Sequence, residues 1–507
     1  MHAARQARAT RTAPTMARSH RRERDDPAIQ GSWEPVGSTL AFQDWAARVA
    51  GIWWTRNRGK GAIEAAATAR LEALVRFARA SSPFYREAYR KLPDHDVDLR
   101  QLPVMGRHAL MEHFDDWATD RDIRRDGVEA FLADRAHIGW RYLGRYVVWK
   151  SSGTTGEPGI YLQDRAGLAT YDGLVASQLT SPSLFTRCVL GSVTMGGRAA
   201  LIAATGDHFA SIASWQRVCH ANPWLDARGF SVMLPLRELV AQLNDYRPAF
   251  LAGYPTALSL LAEEAAAGRL RVEPSILWSG GEYLSAAAQR QIERAFDSPV
   301  INEYGASECL SIAFGCRHGW LHVNAEWVLL EAVDDEYQPV PPGEASATVL
   351  VTNLANWVQP IIRYDLGDSI VVSPKVCLCG SPLPAIRVEG RRDDVVSLRR
   401  PDGQIVRLLP LALTTVVEEV LYAHRFQIVQ TGAEGLSIRL AIGPGSARRA
   451  AWSGVAGALR AYLHRQSLPN VRLALGAEAP LTDQRSGKLR QVIVAPQQQS
   501  PHPRSMH

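Results

Sequence analysis

The sequence predicts an α/β protein: a large layered α/β domain with a β subdomain, followed by a small α+β domain. Three textures along the chain predict it. From about residue 145, short β-rich runs alternate with helical stretches, the pattern of a mostly parallel sheet covered by helices. Between about 322 and 390 the β-rich runs crowd together and the helices vanish, the pattern of an antiparallel β subdomain. After the segment GRRDD the pattern becomes mixed again, with a domain boundary near 390.

Taken in order, residues 1–30 read as a disordered basic tail. Within residues 1–24, Arg5, Arg8, Arg11, Arg18, Arg21, Arg22 and Arg24 stand against Glu23 alone, a local excess equal to the formal +6 of the whole chain. The remaining body is formally neutral, so the basic isoelectric point does not indicate a nucleic-acid partner. An organellar transit peptide is the alternative reading of this tail. No apolar run of about 18 residues occurs and the amino end lacks a secretory apolar core, so a cytoplasmic protein with no membrane partner is expected. Six cysteines in 507 residues are too few for a disulfide scaffold.

Residues 41–95 form a helical lead-in, in which AAATARLEALVRFARA has helical spacing and Ser82-Pro83 breaks it. The runs RYVVWK, CVLGSVTM, FSVMLP, PAFLAGYP, PSILWSGG and PVINEYG are expected strands of the large domain, 31–390. LSLLAEEAAAG and SAAAQRQIERAF are its helices. HVNAEWVLLEAV, ATVLVTNL, QPIIRYDLGDSIVV and PAIRVEG make the β subdomain, about 322–390. In the small domain, 391–495, FQIVQ and LSIRLAI read as strands and SARRAAWSGVAGALRAYLHRQ as an amphipathic helix. Residues 496–507 read as a second disordered tail.

Five segments carry chemistry. Ser151–Gly159, SSGTTGEPG, packs hydroxyls and glycines into a loop able to wrap phosphate oxygens, and it is not a Walker loop because no Lys-Ser/Thr follows. Asn302-Glu303-Tyr304-Gly305-Ala306-Ser307-Glu308 sets an aromatic and, four residues on, a carboxylate after a strand. Arg363–Asp368 places another carboxylate after a Gly turn, Gly390–Asp394 lies at the proposed boundary, and Ser486-Gly487-Lys488 lies near the carboxyl end. Each alone has a bland reading as a solvated charge or a turn.

In this order they resemble the motif series of the acyl-adenylate-forming superfamily, which includes acyl-CoA synthetases, the adenylation domains of peptide synthetases and luciferases. The resemblance runs from about 75 to 495. Within it, SSPFYREAY, QLPVMGRHAL, TGDHFA, AGYPTALSLLA and RFQIVQ look most like the branch of phenylacetate-CoA ligases, capsular-polysaccharide proteins and deazaflavin-coenzyme adenylyltransferases.

The resemblance implies an ATP- and magnesium-dependent acid-thiol ligase with coenzyme A as acceptor and an aryl or aromatic acid as substrate. A carrier protein or non-thiol acceptor is the first alternative, a non-catalytic nucleotide-binding protein the second. It assigns Ser151, Ser152, Gly153, Thr154, Thr155 and Gly156 to the phosphates, although Glu157 stands where many members carry a lysine. Gly280, Gly281 and Glu282 would border adenine and substrate, and Tyr304, flanked by Asn302 and Gly305, would pack near the adenine. Glu308 would hold magnesium, Asp368 the ribose hydroxyls, Arg391 the nucleotide, and Asp393 would mark the hinge of a mobile small domain. Lys488 would bridge the acyl carboxylate and the α-phosphate. A homodimer is expected from the branch.

A separate set, Cys316, His322, Cys377 and Cys379, has the composition of a closed structural zinc site, with His318 the competing fourth ligand. Phenylacetate-CoA-ligase-like proteins carry a similar arrangement. Cys188, Cys219 and Cys309 are expected to be structural thiols, and His208 and Tyr254 either line an acyl pocket or pack.

Overall fold

The computed structural model describes residues 39–93, 98–151, 158–179, 181–194, 196–222, 225–282, 284, 286–388, 396–408, 410–421, 426–481 and 492–494. It is a mixed α/β structure, as the sequence predicts. The lead-in is three helices, Thr39–Asn57, Lys60–Ser81 and Pro83–Ala88. Ile63, Ala67, Leu71, Leu74, Val75 and Ala78 recur at helical spacing and form the buried face of the second. Ser82 ends that helix and caps the next: Pro83 takes the first helical position, and the Ser82 hydroxyl accepts from Tyr85 N at 3.3 Å. Tyr85 and Trp117 then both donate to the Pro360 carbonyl, at 2.8 and 2.7 Å, tying the lead-in to the β-rich region.

Among the described residues the largest sheet has nine strands, in the order Ile370–Val372, Ala385–Val388, Leu321–Val323, Cys309–Gly315, Val300–Ala306, Ile276–Gly280, Phe250–Gly253, Ala199–Ala203, Ala227–Ser231. The mostly parallel sheet read from the sequence holds for only one half of it. The last five strands in that order are parallel, several of them joined by crossover helices such as Leu236–Tyr246, Pro255–Ala266 and Ala286–Phe296. The other half is antiparallel, because only Ser307 and Glu308 separate Val300–Ala306 from Cys309–Gly315, too few residues for a crossover.

The run CVLGSVTM is not a strand. Residues Pro182–Thr194 form a helix, with Gly191 against Ser275 and Ala249 while Phe185, Val189, Leu190 and Val193 face solvent. A β-branched apolar run mimics a buried strand when it lies on an exposed helix face. The strand expected at FSVMLP begins earlier, at Ala227.

The β-rich stretch 322–390 divides between two sheets. Val328–Val333, Thr348–Asn353 and Ile361–Asp365 form their own antiparallel sheet, while the remaining strands join the nine-stranded one. Beyond it, Phe426–Gly432, Gly435–Leu440, Arg472–Leu475 and Val492–Ile493 form a four-stranded sheet, accompanied by helices Pro410–Leu421 and Ser446–Arg465. Apolar packing is continuous from the parallel strands (Leu243, Leu251, Leu258, Leu277) into this region (Val417, Phe426, Ile438, Leu459). Among the described residues no helix is long and apolar enough to cross a membrane.

Candidate active site

Parallel strands present their carboxyl ends along one edge, the usual place for a ligand cleft in such sheets. Here that edge borders a cavity of about 2530 Å³, whose lining includes Ser151, Gly281, Glu282, Asn302, Tyr304, Gly305, Glu308 and Asp368.

Glu308 sits at the tip of the hairpin where the sheet changes direction. Gly305 shapes that hairpin: a Cβ at this position would lie 1.7 Å from the Leu310 carbonyl oxygen, and the pairing register shifts between Tyr304 and Ala306. The carboxylate is 3% exposed and lies in a ring of donors. Its Oε1 accepts from the hydroxyls of Tyr161 and Tyr364, both at 2.8 Å, and lies 3.4 Å from the Arg107 guanidinium. Burial, then the charge of Glu308, pushes both tyrosine hydroxyls well up, so they stay protonated donors. Burial would lower the Arg107 guanidinium, but Glu308 together with Tyr161 and Tyr364 more than offsets it, and the group is held firmly charged.

Beside this ring the Tyr304 hydroxyl donates to Asp368 at 2.9 Å. Asp368 follows Gly367, which turns the chain at φ +71°, and the Gly367 N–H is held by Asp365 at 3.0 Å. Gly281 has φ +84°, and the Tyr254 ring lies 2.9 Å from where its Cβ would be, so only glycine fits there without strain. Glu282 accepts from Thr256 N at 3.2 Å and Oγ1 at 2.7 Å, fixing the segment to the start of the helix Pro255–Ala266. Glu303 is half-buried on the cavity wall, accepting from Ser311 and Trp278 at 2.7 Å each, and desolvation raises its carboxyl above the ordinary range.

The neck of the Ser/Thr/Gly loop is closed twice, Ser151 N donating to Gly159 O and Gly159 N to Ser151 Oγ, both at 2.8 Å. Ser152, Gly153, Thr154, Thr155, Gly156 and Glu157 lie outside the described residues, as do Arg391, Asp393 and Lys488. Just before the neck, Lys150 pairs with Asp207 at 2.6 Å, and its backbone N–H donates to His208 O at 2.8 Å. His208 packs: it is wholly buried, its Nε2 lies 2.9 Å from the Asp134 carbonyl, and it is absent from the cavity wall. Burial lowers its pKa and keeps it neutral. Tyr254 does line the cavity.

Reading the sequence missed Arg107, Tyr161 and Tyr364 around Glu308, the Lys150–Asp207 pair, and a buried pair of Arg217 with Asp172, at 2.6 and 3.0 Å. Lys150, adjacent to Ser151, was the one of these with a local signal.

Cys316, His322, Cys377 and Cys379 come together, their candidate ligand atoms all within 4.8 Å of one another. Cys316 Sγ lies 3.7 Å from Cys377 Sγ, and Cys379 Sγ lies 3.1 Å from His322 Nε2. The His322 Nδ1 lies 3.2 Å from the Leu383 carbonyl, which fixes the proton there and leaves Nε2 as a ligand atom. Burial also holds this imidazole below its ordinary pKa, hence neutral. Three thiols and one such imidazole fit zinc. His318 is exposed and stands outside the set.

No family model matches the chain. Protein CapK of Staphylococcus aureus is 24% identical over 215 residues, 41% of this chain and 45% of CapK, so the match spans less than half of that relative. Among solved structures the chain is similar to 2-hydroxyisobutyryl-CoA ligase in complex with 2-HIB-AMP and CoA, at 21% identity, TM-score 0.49, over 85% of this chain and 89% of that one. It is also similar to a benzoate CoA ligase from Burkholderia xenovorans, at 15% identity, TM-score 0.33, over 68% of this chain and 67% of that one.

Proposed function

We propose that this chain is an acyl-adenylate-forming enzyme that activates a carboxylic acid with ATP and passes the acyl group to a thiol, with coenzyme A as the acceptor and an aryl acid as the first substrate class to test. The observation that carries the reading is the convergence of Ser151, Gly281, Tyr304, Glu308 and Asp368 on one cavity at the edge where the sheet reverses direction. Segments that each resemble a family motif would be scattered if the resemblance were accidental, and the three with described residues, Ser151–Gly159, Asn302–Glu308 and Arg363–Asp368, all reach this cavity.

In this reading Tyr304 packs near the adenine and Asp368 accepts from the ribose hydroxyls, while Gly281 leaves the backbone open toward the base. The loop Ser151–Gly156 wraps the phosphates with backbone N–H groups and hydroxyls. Glu308 presents a hard carboxylate oxygen on the cavity wall and would hold magnesium, which when bound neutralises phosphate charge. Attack of a carboxylate on the α-phosphorus brings two anions together, and Lys488 is the residue proposed to place an ammonium between them. For that, the region after 390 must move over the cleft. The exposed Arg135–Glu419 pair, at 3.5 Å, would break at little cost, and the apolar packing shared with the parallel strands would have to open. Cys316, His322, Cys377 and Cys379 would hold a structural zinc apart from the chemistry.

The test is acid-dependent pyrophosphate release by the purified protein with ATP and magnesium. Release with a subset of acids supports adenylation. No release across a broad acid panel favours a nucleotide-binding protein without catalysis. AMP formation with free coenzyme A, compared with a loaded carrier protein, identifies the acceptor.

A further inference from the structure

Away from the nucleotide edge, the same cavity extends beneath the sheet face that carries Leu201, Phe250, Ala252 and Trp278, and is roofed by helices Arg165–Gln178, Pro182–Thr194 and Ala210–Ala221. An acid awaiting adenylation would lie in this space. Its sheet wall is apolar, but its roof is not. Ser211, Ser214 and Arg217, three residues apart, set two hydroxyls and a guanidinium along one ridge of the helix Ala210–Ala221, and all three border the cavity. At one end Ser211 Oγ lies 3.3 Å from the Tyr254 hydroxyl. At the other, Arg217 gives both terminal nitrogens to Asp172, at 3.0 and 2.6 Å, while its buried Nε has no partner.

The two members of this pair face different ways. The Arg217 side chain is 8% exposed and that of Asp172 is 35% exposed. The cavity therefore meets the pair mainly through an acceptor carboxylate whose charge is already neutralised. Such a surface suits a neutral hydrogen-bond donor better than an ammonium, which the adjacent guanidinium would repel, or a second carboxylate, which Asp172 would repel.

We infer that the acid this chain activates bears one or more hydroxyl groups remote from its carboxylate, read by the ridge Ser211–Ser214–Arg217 and by Asp172. The inference rests on the adenylation reading and narrows its substrate class. The Trp278 and Phe250 wall accepts an aryl ring, so the hydroxylated aryl acids are the first candidates. A site built to bond a substrate hydroxyl rejects the analogue lacking it strongly, because its own polar groups are then left unpaired.

The experiment compares pyrophosphate release for matched acids: 4-hydroxyphenylacetate with phenylacetate, 4-hydroxybenzoate with benzoate, and 6-hydroxyhexanoate with hexanoate. Wild type is expected to favour the hydroxylated member of at least one pair by about 10²-fold in kcat/KM. Asp172→Leu combined with Arg217→Met, which removes both charges at similar volume, is expected to bring that ratio close to one. Ser214→Ala, a milder change, is expected to lower it by about tenfold. If the pair only staples two helices, all acids fall together in the double variant and the ratio is unchanged, which overturns the inference. Release without hydroxyl preference in wild type also overturns it and leaves adenylation standing. No release with any acid sinks both.

Discussion

The two halves of the nine-stranded sheet share apolar packing but differ in the polar ties added to it. The parallel half is held mainly by apolar packing: Ala200, Ile202, Leu251, Leu277 and the helices covering them form one core, and its strand ends open onto the cavity. The antiparallel half and its surroundings are held by long-range polar ties: the ring around Glu308, the Cys/His cluster, and the fully buried Glu326, which accepts from Arg56 at 2.7 Å. The antiparallel half has an apolar core as well, in which Ile312, Phe314 and Val323 pack in one cluster with Leu168 and Leu174 of the helix Arg165–Gln178, and the charges and thiols add to that core. The site stands where the two regimes meet, combining open glycine-lined ends with fixed carboxylates.

This contrast can be broken most severely at Glu308. Glu308→Ala removes the carboxylate that accepts from Tyr161 and Tyr364 and pairs with Arg107, and is expected to cost about 3–5 kcal/mol in urea unfolding. Glu308→Gln should keep much of that stability while losing activity, which separates the structural contribution of the ring from the catalytic one. The next largest effect is expected at the thiol cluster. Wild type should carry about one zinc per chain, and Cys377→Ser should lose it together with the chelator-sensitive part of thermal unfolding. On the parallel side a single replacement should act through backbone strain and a close side-chain contact. Gly281→Ala, at φ +84° against the Tyr254 ring, is expected to cost about 1–3 kcal/mol and to raise the KM for ATP.

The smallest effect is on pH dependence. His208 is buried neutral, its folded pKa below the ordinary 6.5, so the unfolded chain binds the proton more readily. Its contribution to stability is present above pH 6.5 and is lost as pH falls toward the folded value. Unfolding midpoints between pH 7.5 and 5.5 should show that slope in wild type and a shallower one in His208→Gln.

The parts of the site that were legible in the sequence are those whose chemistry sits on turn residues within a few positions of one another. Gly305 beside Tyr304, Gly281 before Glu282, and the Cys377-x-Cys379 pair all carry short-range signals. The ring around Glu308 was not legible, because Arg107, Tyr161 and Tyr364 lie 201, 147 and 56 positions from it, and no local pattern marks a tyrosine as a buried donor. Of the antiparallel half, the hairpin into Cys309–Gly315 was missed for a related reason: Ser307 and Glu308 lack the Asn-Gly type of hairpin signal. CVLGSVTM failed because β-branched composition outweighed a helical period whose apolar face has no cover.

The most direct measurement is acid-dependent exchange of labelled pyrophosphate into ATP, run on wild type and on Lys488→Ala. If the cavity at the reversal of the sheet is an adenylation site, wild type exchanges only when a suitable acid is present, and the variant, folded as judged by circular dichroism, exchanges at least about 10²-fold more slowly. Exchange at the same rate in both proteins, or none in wild type with any acid, would contradict it.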